Sequence, residues 1–354
     1  MIALNSTFSK TTLHSLILSG MGILLLALSL VSLSLGAYQV PFAQVLSIVL
    51  EPIGLGVTSY EPMQYNVLWN IRLPRVLMAT LVGGGLGIAG AALQGLFRNP
   101  LVEPGLIGVS SGSALFAVFY LVVLPSAVGS ISILTQLGLP IFAFLGGLIH
   151  VFAVYYLGRS HGKTDTATLI LAGVAINALA GALIGLTLFY ADDAALRSFT
   201  FWSLGDLGGA VWSKIPFAAL LILIPSALLW SQHSALNALA IGEREAFHMG
   251  VNVSHTKIKL LISTALIVGV GVSLTGMIGF VGLIVPHLIR ISFGADHRLV
   301  LPASFLLGAI LLNIADLIAR LVAIPAELPI GVITALIGAP FFIALIFQLQ
   351  KSKI

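Results

Sequence analysis

Residues 72–113 read RLPRVLMATLVGGGLGIAGAALQGLFRNPLVEPGLIGVSSGS. From Val76 to Phe97 no ionisable side chain occurs, and a helix of that length crosses a hydrocarbon layer of about 30 Å. Gly83, Gly87, Ala91 and Gly95 recur every fourth residue, so they share one helical face. Small residues on such a face let helix backbones approach closely in lipid, where packing replaces the hydrophobic effect as the driving force. The helix then runs into a polar turn at Asn99 and Pro100, and Pro104 and Gly105 precede a second, shorter apolar run. A spanning helix followed by a broken one is the pattern of a polytopic membrane protein.

The rest of the chain agrees. Of 354 residues 58% are hydrophobic and 8% are charged, too few ionic groups to solvate a globule. The apolar runs are long and continuous rather than short and alternating, which excludes an outer-membrane barrel and gives an all-α fold. Charges, prolines and glycines divide the chain into ten spans: 15–37, 73–97, 107–124, 133–157, 166–190, 212–231, 255–275, 279–293, 300–321 and 329–348. The third and eighth are short or broken and must be shielded by neighbours. The first run exceeds a signal-peptide core and lacks a clear cleavage site before Tyr38, so it reads as a retained span. There is no cysteine, which removes disulfides and thiolate metal sites.

With a cytoplasmic N-terminus, eleven of the sixteen basic residues fall on cytoplasmic ends, and the even span count puts both termini there. Arg72, Arg75, Arg197, Lys214 and Arg320 fall on the outer ends. The glycine-studded runs 83–96 and 269–283 both lead into a break but run in opposite directions. They suggest an inverted repeat within one domain, 1–354, with repeat one at about 73–190 and repeat two at about 255–348.

Several motifs carry alternatives. Asn177 lies on the face of Gly173, Gly181 and Gly185, and an amide in hydrocarbon needs a partner or a water-filled pathway. Arg72, Arg75 and Arg320 either snorkel, with Arg320 pairing to Asp316 one turn earlier, or form a receptor for an acidic partner. In ADDAALRSFTFWSLGDLGG, residues 191–209, Arg197 either pairs with Asp193 or joins Phe199, Phe201 and Trp202 at an entrance for a flat anionic ligand. The polar stretch 236–254 holds Glu243, Ala246 and Gly250 at the spacing of a short helix with a glycine stop, a surface for a cytoplasmic partner. GRSHGKT at 158–164 misses the spacing of a phosphate-binding loop. The eight histidines show no metal-ligand spacing, no nucleophile and base constellation is visible, and nucleic-acid binding has no support.

RLPR at 72–75, RNPLVEPGLIGVSSG at 98–112, IGEREAFHMGV at 241–251, GMIGFVGLIVPHLIR at 276–290 and ELPIGVITALIGAPFF at 327–342 together resemble the FecCD/BtuC-like permeases of ABC importers for iron-siderophores, haem and cobalamin. The resemblance implies a type II ABC importer permease fold in a bacterial inner membrane. It also implies a homodimer with the pathway on its two-fold axis, two separate cytoplasmic ATPase subunits that bind ATP-Mg, and a periplasmic binding protein. The permease itself then binds no cofactor and is not an enzyme. By the same resemblance Arg72, Arg75 and Arg320 dock the binding protein, and Glu243, Glu245, Ala246 and Gly250 belong to the coupling helices on the ATPase.

The 191–209 segment is most similar to the haem branch, which implies haem as substrate and a pathway role for Arg197, with Asn177, Phe199 and Trp202 beside it. Two Arg197 guanidiniums across a two-fold axis suit two propionates. A ferric siderophore or cobalamin cargo is the alternative within the class. An ion-coupled secondary transporter, with Asp316 as its one deep carboxylate, is the alternative outside it.

Overall fold

The computed structural model describes residues 10–51, 54, 56, 58–123, 132–160, 163–164 and 166–351, and these form fifteen α-helices. Helix α1 (Lys10–Ser34) is followed by α2 (Phe42–Leu50) and α3 (Pro62–Tyr65). Glu61 and Gln64 form a capping box at the start of α3, and a π-helical turn, Asn66–Arg72, joins α3 to α4 (Leu73–Phe97) without a gap. A 3-10 turn at Pro104–Ile107 leads into α5 (Val109–Val122), then α6 (Ser132–Leu157). Residues Arg159–Ser160 and Lys163–Thr164 make a two-residue antiparallel ladder, the basic turn expected at 158–164, with His161 and Gly162 outside the described residues. Lys353, counted among the basic ends, is also outside them. After the ladder come α7 (Thr166–Phe189), α8 (Asp193–Ser203), α9 (Ile215–Ser231), α10 (His233–Ile241) and α11 (Glu243–His248). The chain closes with α12 (Val253–Thr275), α13 (Val281–Phe293), α14 (His297–Val322) and α15 (Ile330–Lys351).

Among the described residues seven helical runs are long and apolar enough to cross a membrane, and three apolar helices are shorter. Together they match the ten expected spans, and the two expected to be short, α5 and α13, have 14 and 13 residues. Between the first two spans, where no further span is expected, α2, α3 and the π-helical turn add structure. Val40, Val45, Ile48 and Leu68 make a small core there with Leu33 and Val76. A ladder of rings, Tyr60, Tyr65, Trp69 and Trp212, stacks at 6.0, 6.0 and 5.5 Å beside it, as an aromatic belt at a membrane boundary would.

Helix α4 is buried along nearly its whole length, and its glycines explain how. A methyl group on Gly83 or Gly87 would overlap the carbonyl oxygens of Gly308 and Ser304 on α14. One on Gly85 would lie 2.7 Å from Ile267 of α12 and 2.9 Å from Ile222 of α9, and one on Gly90 would overlap the Gly282 carbonyl of α13. The glycine face read from the sequence meets α14, and the glycines between those positions admit three further helices. On α7 the corresponding set divides: Gly173 sits under the Leu106 carbonyl, while Gly181 and Gly185 face open space.

These contacts also fix direction. Gly83 and Gly308 meet at one level and Gly95 and His297 at another, so α4 and α14 are antiparallel. Val82 meets Gly271 and Gly85 meets Ile267, so α4 and α12 are antiparallel as well. The half-helices α5 and α13 each begin at a left-handed residue, Gly108 (φ +86°) and Phe280 (φ +68°), and run toward opposite ends. The pairs α4–α5 and α12–α13 are therefore inverted with respect to each other. One end of the bundle carries Arg72, Arg75 and Arg320; the other carries Arg98 and Arg244.

Candidate functional site

The two helix breaks touch near the middle of the bundle. The Phe280 N–H, at the start of α13, donates to Glu103 Oε1 at 3.2 Å, and Pro104 packs on Gly282. Asn177 braces the other break: Ser111 Oγ donates to its Oδ1 at 2.5 Å, and its Nδ2 donates to the Gly105 carbonyl at 3.3 Å. Its amide is thus bonded to the chain at both atoms. Glu103 was not singled out from sequence, because its partner lies 177 residues away; the signal present was a carboxylate immediately before a Pro-Gly break.

At the arginine end, three guanidiniums lie close to the surface yet buried. Arg72 donates to the carbonyls of Leu33 (2.7 Å), Ser34 (3.0 Å) and Tyr38. Arg75 donates Nε to Asp316 Oδ1 (2.7 Å) and NH1 to Glu327 Oε2 (2.6 Å). Arg320 donates Nε to Asp316 Oδ2 (3.0 Å) and NH2 to Ser32 Oγ (2.5 Å). All three line a cavity of about 190 Å³ whose rim includes Tyr38, Ile324 and Glu327. The Arg320–Asp316 pair expected from the four-residue spacing is present. Both oxygens of Asp316 are held by arginines, which removes it as an ion or proton site. Among the described residues Arg72 has only carbonyl partners, so there the pit holds three cations against two carboxylates.

Helix α8 lies at the same end. Asp192 caps it by accepting from the Ala195 N–H at 2.7 Å. The ion pair that the spacing of Asp193 and Arg197 allowed does not form, and Arg197 is exposed without a hydrogen bond or ion pair among the described residues. Phe199 points the other way, buried against Ala114 and Val118 of α5, with Trp202 behind it at 6.1 Å. Two residues turn a helix by about 200°, so Phe199 cannot share the face of Arg197. The ring that does share it is Phe201, four residues on and 61% exposed. Past α8, a cavity of about 500 Å³ has an almost wholly apolar wall that includes Leu204, Met277, Phe280 and Leu336.

At the opposite end α11 is a six-residue helix stopped by Gly250 (φ +85°), as its spacing predicted. Ala246 is fully buried and anchors it, and Glu243 pairs with Lys257 Nζ at 2.8 Å. Glu245 and Gly250 are exposed. Phe247 and Met249 project from this polar surface at 68% and 64% exposure. Phe247 lines an open cleft of about 710 Å³ together with Arg244 and Lys257. Nearby, Asp296 caps α14. Burial works against its ionisation, but the Arg298 N–H, the Asn237 amide and the Arg298 charge outweigh this and hold its carboxyl below the usual range.

Three comparisons bear on this arrangement. The model of the FecCD transport family matches residues 24–348. The hemin transport system permease protein HmuU of Yersinia pestis is 43% identical over 331 residues, covering 94% of this chain and 95% of that protein. The cobalamin import system permease protein BtuC of Halobacterium salinarum is 38% identical over 357 aligned positions, covering 92% and 94%. A solved structure described as an inward-facing conformation of a metal-chelate type ABC transporter superposes with a TM-score of 0.80 at 34% identity, over 94% of this chain and 99% of that one. Ten spans, paired helix breaks and an inverted repeat thus coincide with a match over nearly the whole length. The chain belongs to the FecCD transport family and is the permease of an ABC importer.

Proposed function

We propose that this permease imports haem. The observation that carries the reading is Arg197: an exposed guanidinium without a hydrogen bond or ion pair among the described residues, on the open face of α8, one turn before the exposed ring of Phe201, with an apolar-walled cavity past the end of the helix. A flat macrocycle with carboxylates at one edge fits such a surface, the ring against the apolar wall and a carboxylate on the guanidinium. The 43% identity with a hemin permease supports the same cargo. Trp202 supports α8 from its buried side against Phe199, and Asn177 acts by bracing the break before α5.

The exposed faces of α7 and α15, which include Leu179, Leu186, Leu336 and Ile343, are where a second copy packs, bringing two Arg197 side chains to one axis. The arginine end faces the periplasm and the Arg244 end the cytoplasm, following the positive-inside rule. A periplasmic binding protein then docks on the pit of Arg72, Arg75 and Arg320. The ATPase subunits take the α11 surface, where Glu243, Glu245, Ala246 and Gly250 shape the helix and Phe247 and Met249 provide apolar anchors.

Uptake by proteoliposomes containing the permease, its ATPase and its binding protein tests the cargo. Arg197→Ala is expected to lower haem uptake about tenfold while basal ATP hydrolysis is retained, and Arg197→Lys to recover part of it. Undiminished haem uptake by Arg197→Ala would remove the basis of the proposal. The similarity to cobalamin permeases supports cobalamin as the second reading, and preferential binding of cobalamin by the periplasmic protein would favour it.

A further inference from the structure

The two carboxylates of the arginine pit are not equivalent. Asp316 is 1% exposed, is held by two guanidiniums, and sits within α14, where it cannot leave. Glu327 is 46% exposed, reaches Arg75 with one oxygen, and stands on the connection between α14 and α15. The first is a fixed counter-ion of the fold. The second is a carboxylate seated at the mouth of a cationic site, with open space around it.

Glu327 also borders a second space. The same side chain lines a cavity of about 580 Å³ on the side away from the pit, whose wall includes Trp202, Asp206 and Lys214. Lys214 donates to the Gly209 carbonyl at 2.9 Å there and is a second cation that a displaced carboxylate can face. The backbone that follows Glu327 is tied to the neck of α8: the Ile330 N–H donates to the Gly205 carbonyl (3.1 Å) and the Gly331 N–H to the Leu204 carbonyl (3.0 Å). One short segment therefore holds the lid of the pit at one end and the end of the Arg197 helix at the other.

We infer that Glu327 is an internal substitute for the docking partner's carboxylate: it occupies Arg75 in the resting permease and is replaced there by an acidic side chain of the partner. The inference rests on the reading of the pit as the docking site. An exchange of this kind keeps the buried guanidinium compensated at every stage, because one carboxylate leaves as another arrives. It makes docking a competition, so the internal carboxylate lowers the partner's affinity.

The test uses the full chain in lipid nanodiscs and a triglutamate peptide as probe, with triglutamine as the uncharged control. Glu327→Gln removes the competing charge and is expected to tighten triglutamate binding about fivefold over the native chain, the upper end of what a partly exposed ion pair allows. Glu327→Asp keeps the charge and is expected to bind like the native chain. Arg75→Gln is expected to lose binding. A glutamate with a merely structural role gives the opposite sign: its removal loosens the pit and leaves peptide binding unchanged or weaker. That outcome, with Arg75→Gln still defective, overturns the exchange alone. Native-like binding by Arg75→Gln, or no preference for triglutamate over triglutamine in any form, overturns the docking reading together with it.

Discussion

Gly90→Ala is expected to leave no correctly assembled permease. The added methyl would overlap the carbonyl oxygen of Gly282 and come within 2.5 Å of its carbonyl carbon, and both are backbone atoms in the first turn of α13. A flexible side chain could turn aside; a helix start held by Glu103 and Pro104 cannot. Relief requires α13 to move off α4, which opens a void among Leu86, Leu93 and Ile284 in tightly packed core. The cost belongs with the rare substitutions beyond about 4 kcal/mol. Gly22→Ala in α1 is the control, because nothing lies within 4 Å of its new methyl and alanine is favoured in a helix by about 1 kcal/mol. Monodispersity and thermal midpoint in detergent decide the matter. A Gly90→Ala protein that elutes and melts like the native chain would show that α4 and α13 are not in the contact described.

The second large effect concerns charge. Asp316→Asn keeps the shape of the side chain but removes the anion that both Arg75 and Arg320 grip. Two guanidiniums, each 7% exposed, then share the single half-exposed Glu327, and an uncompensated buried charge costs about 3–5 kcal/mol. Removing one of the cations as well is expected to restore much of the loss, so Asp316→Asn combined with Arg320→Gln should be more stable than Asp316→Asn alone. That non-additivity is the signature of a coupled pair. Unfolding in denaturant with a midpoint equal to the native value for Asp316→Asn would mean that the pit is wetter than its geometry indicates.

How much of this was legible in the chain depends on the range of the interaction. The spanning runs, the short third and eighth helices and the stop at Gly250 follow from local rules of length, proline and glycine, and all were readable. The ridge of Gly83, Gly87, Ala91 and Gly95 was readable as close packing, but not that Gly85 and Gly90 serve other partners, because a face is defined only once its neighbours are known. Segment 42–72 escaped because its apolar residues are too few for a span and act only together with Leu33 and Val76. Pairs such as Arg75 with Glu327, 252 residues apart, or Glu103 with Phe280, leave no local trace. The contrary case is Asp193 and Arg197, where correct spacing on one helix gave no ion pair. Between exposed side chains such a pair contributes only a few tenths of a kcal/mol, so nothing compels it to form.

The reciprocal contact of Gly83 and Gly308 has a consequence for motion. Each glycine lies against the other's carbonyl, and Asn313 of α14 adds a bond to Thr80 Oγ1 of α4 at 3.0 Å. Sliding either helix along the other would drive a side chain into backbone, so the pair acts as a stator. Whatever moves in the rest of the bundle, α4 and α14 keep their register on each other.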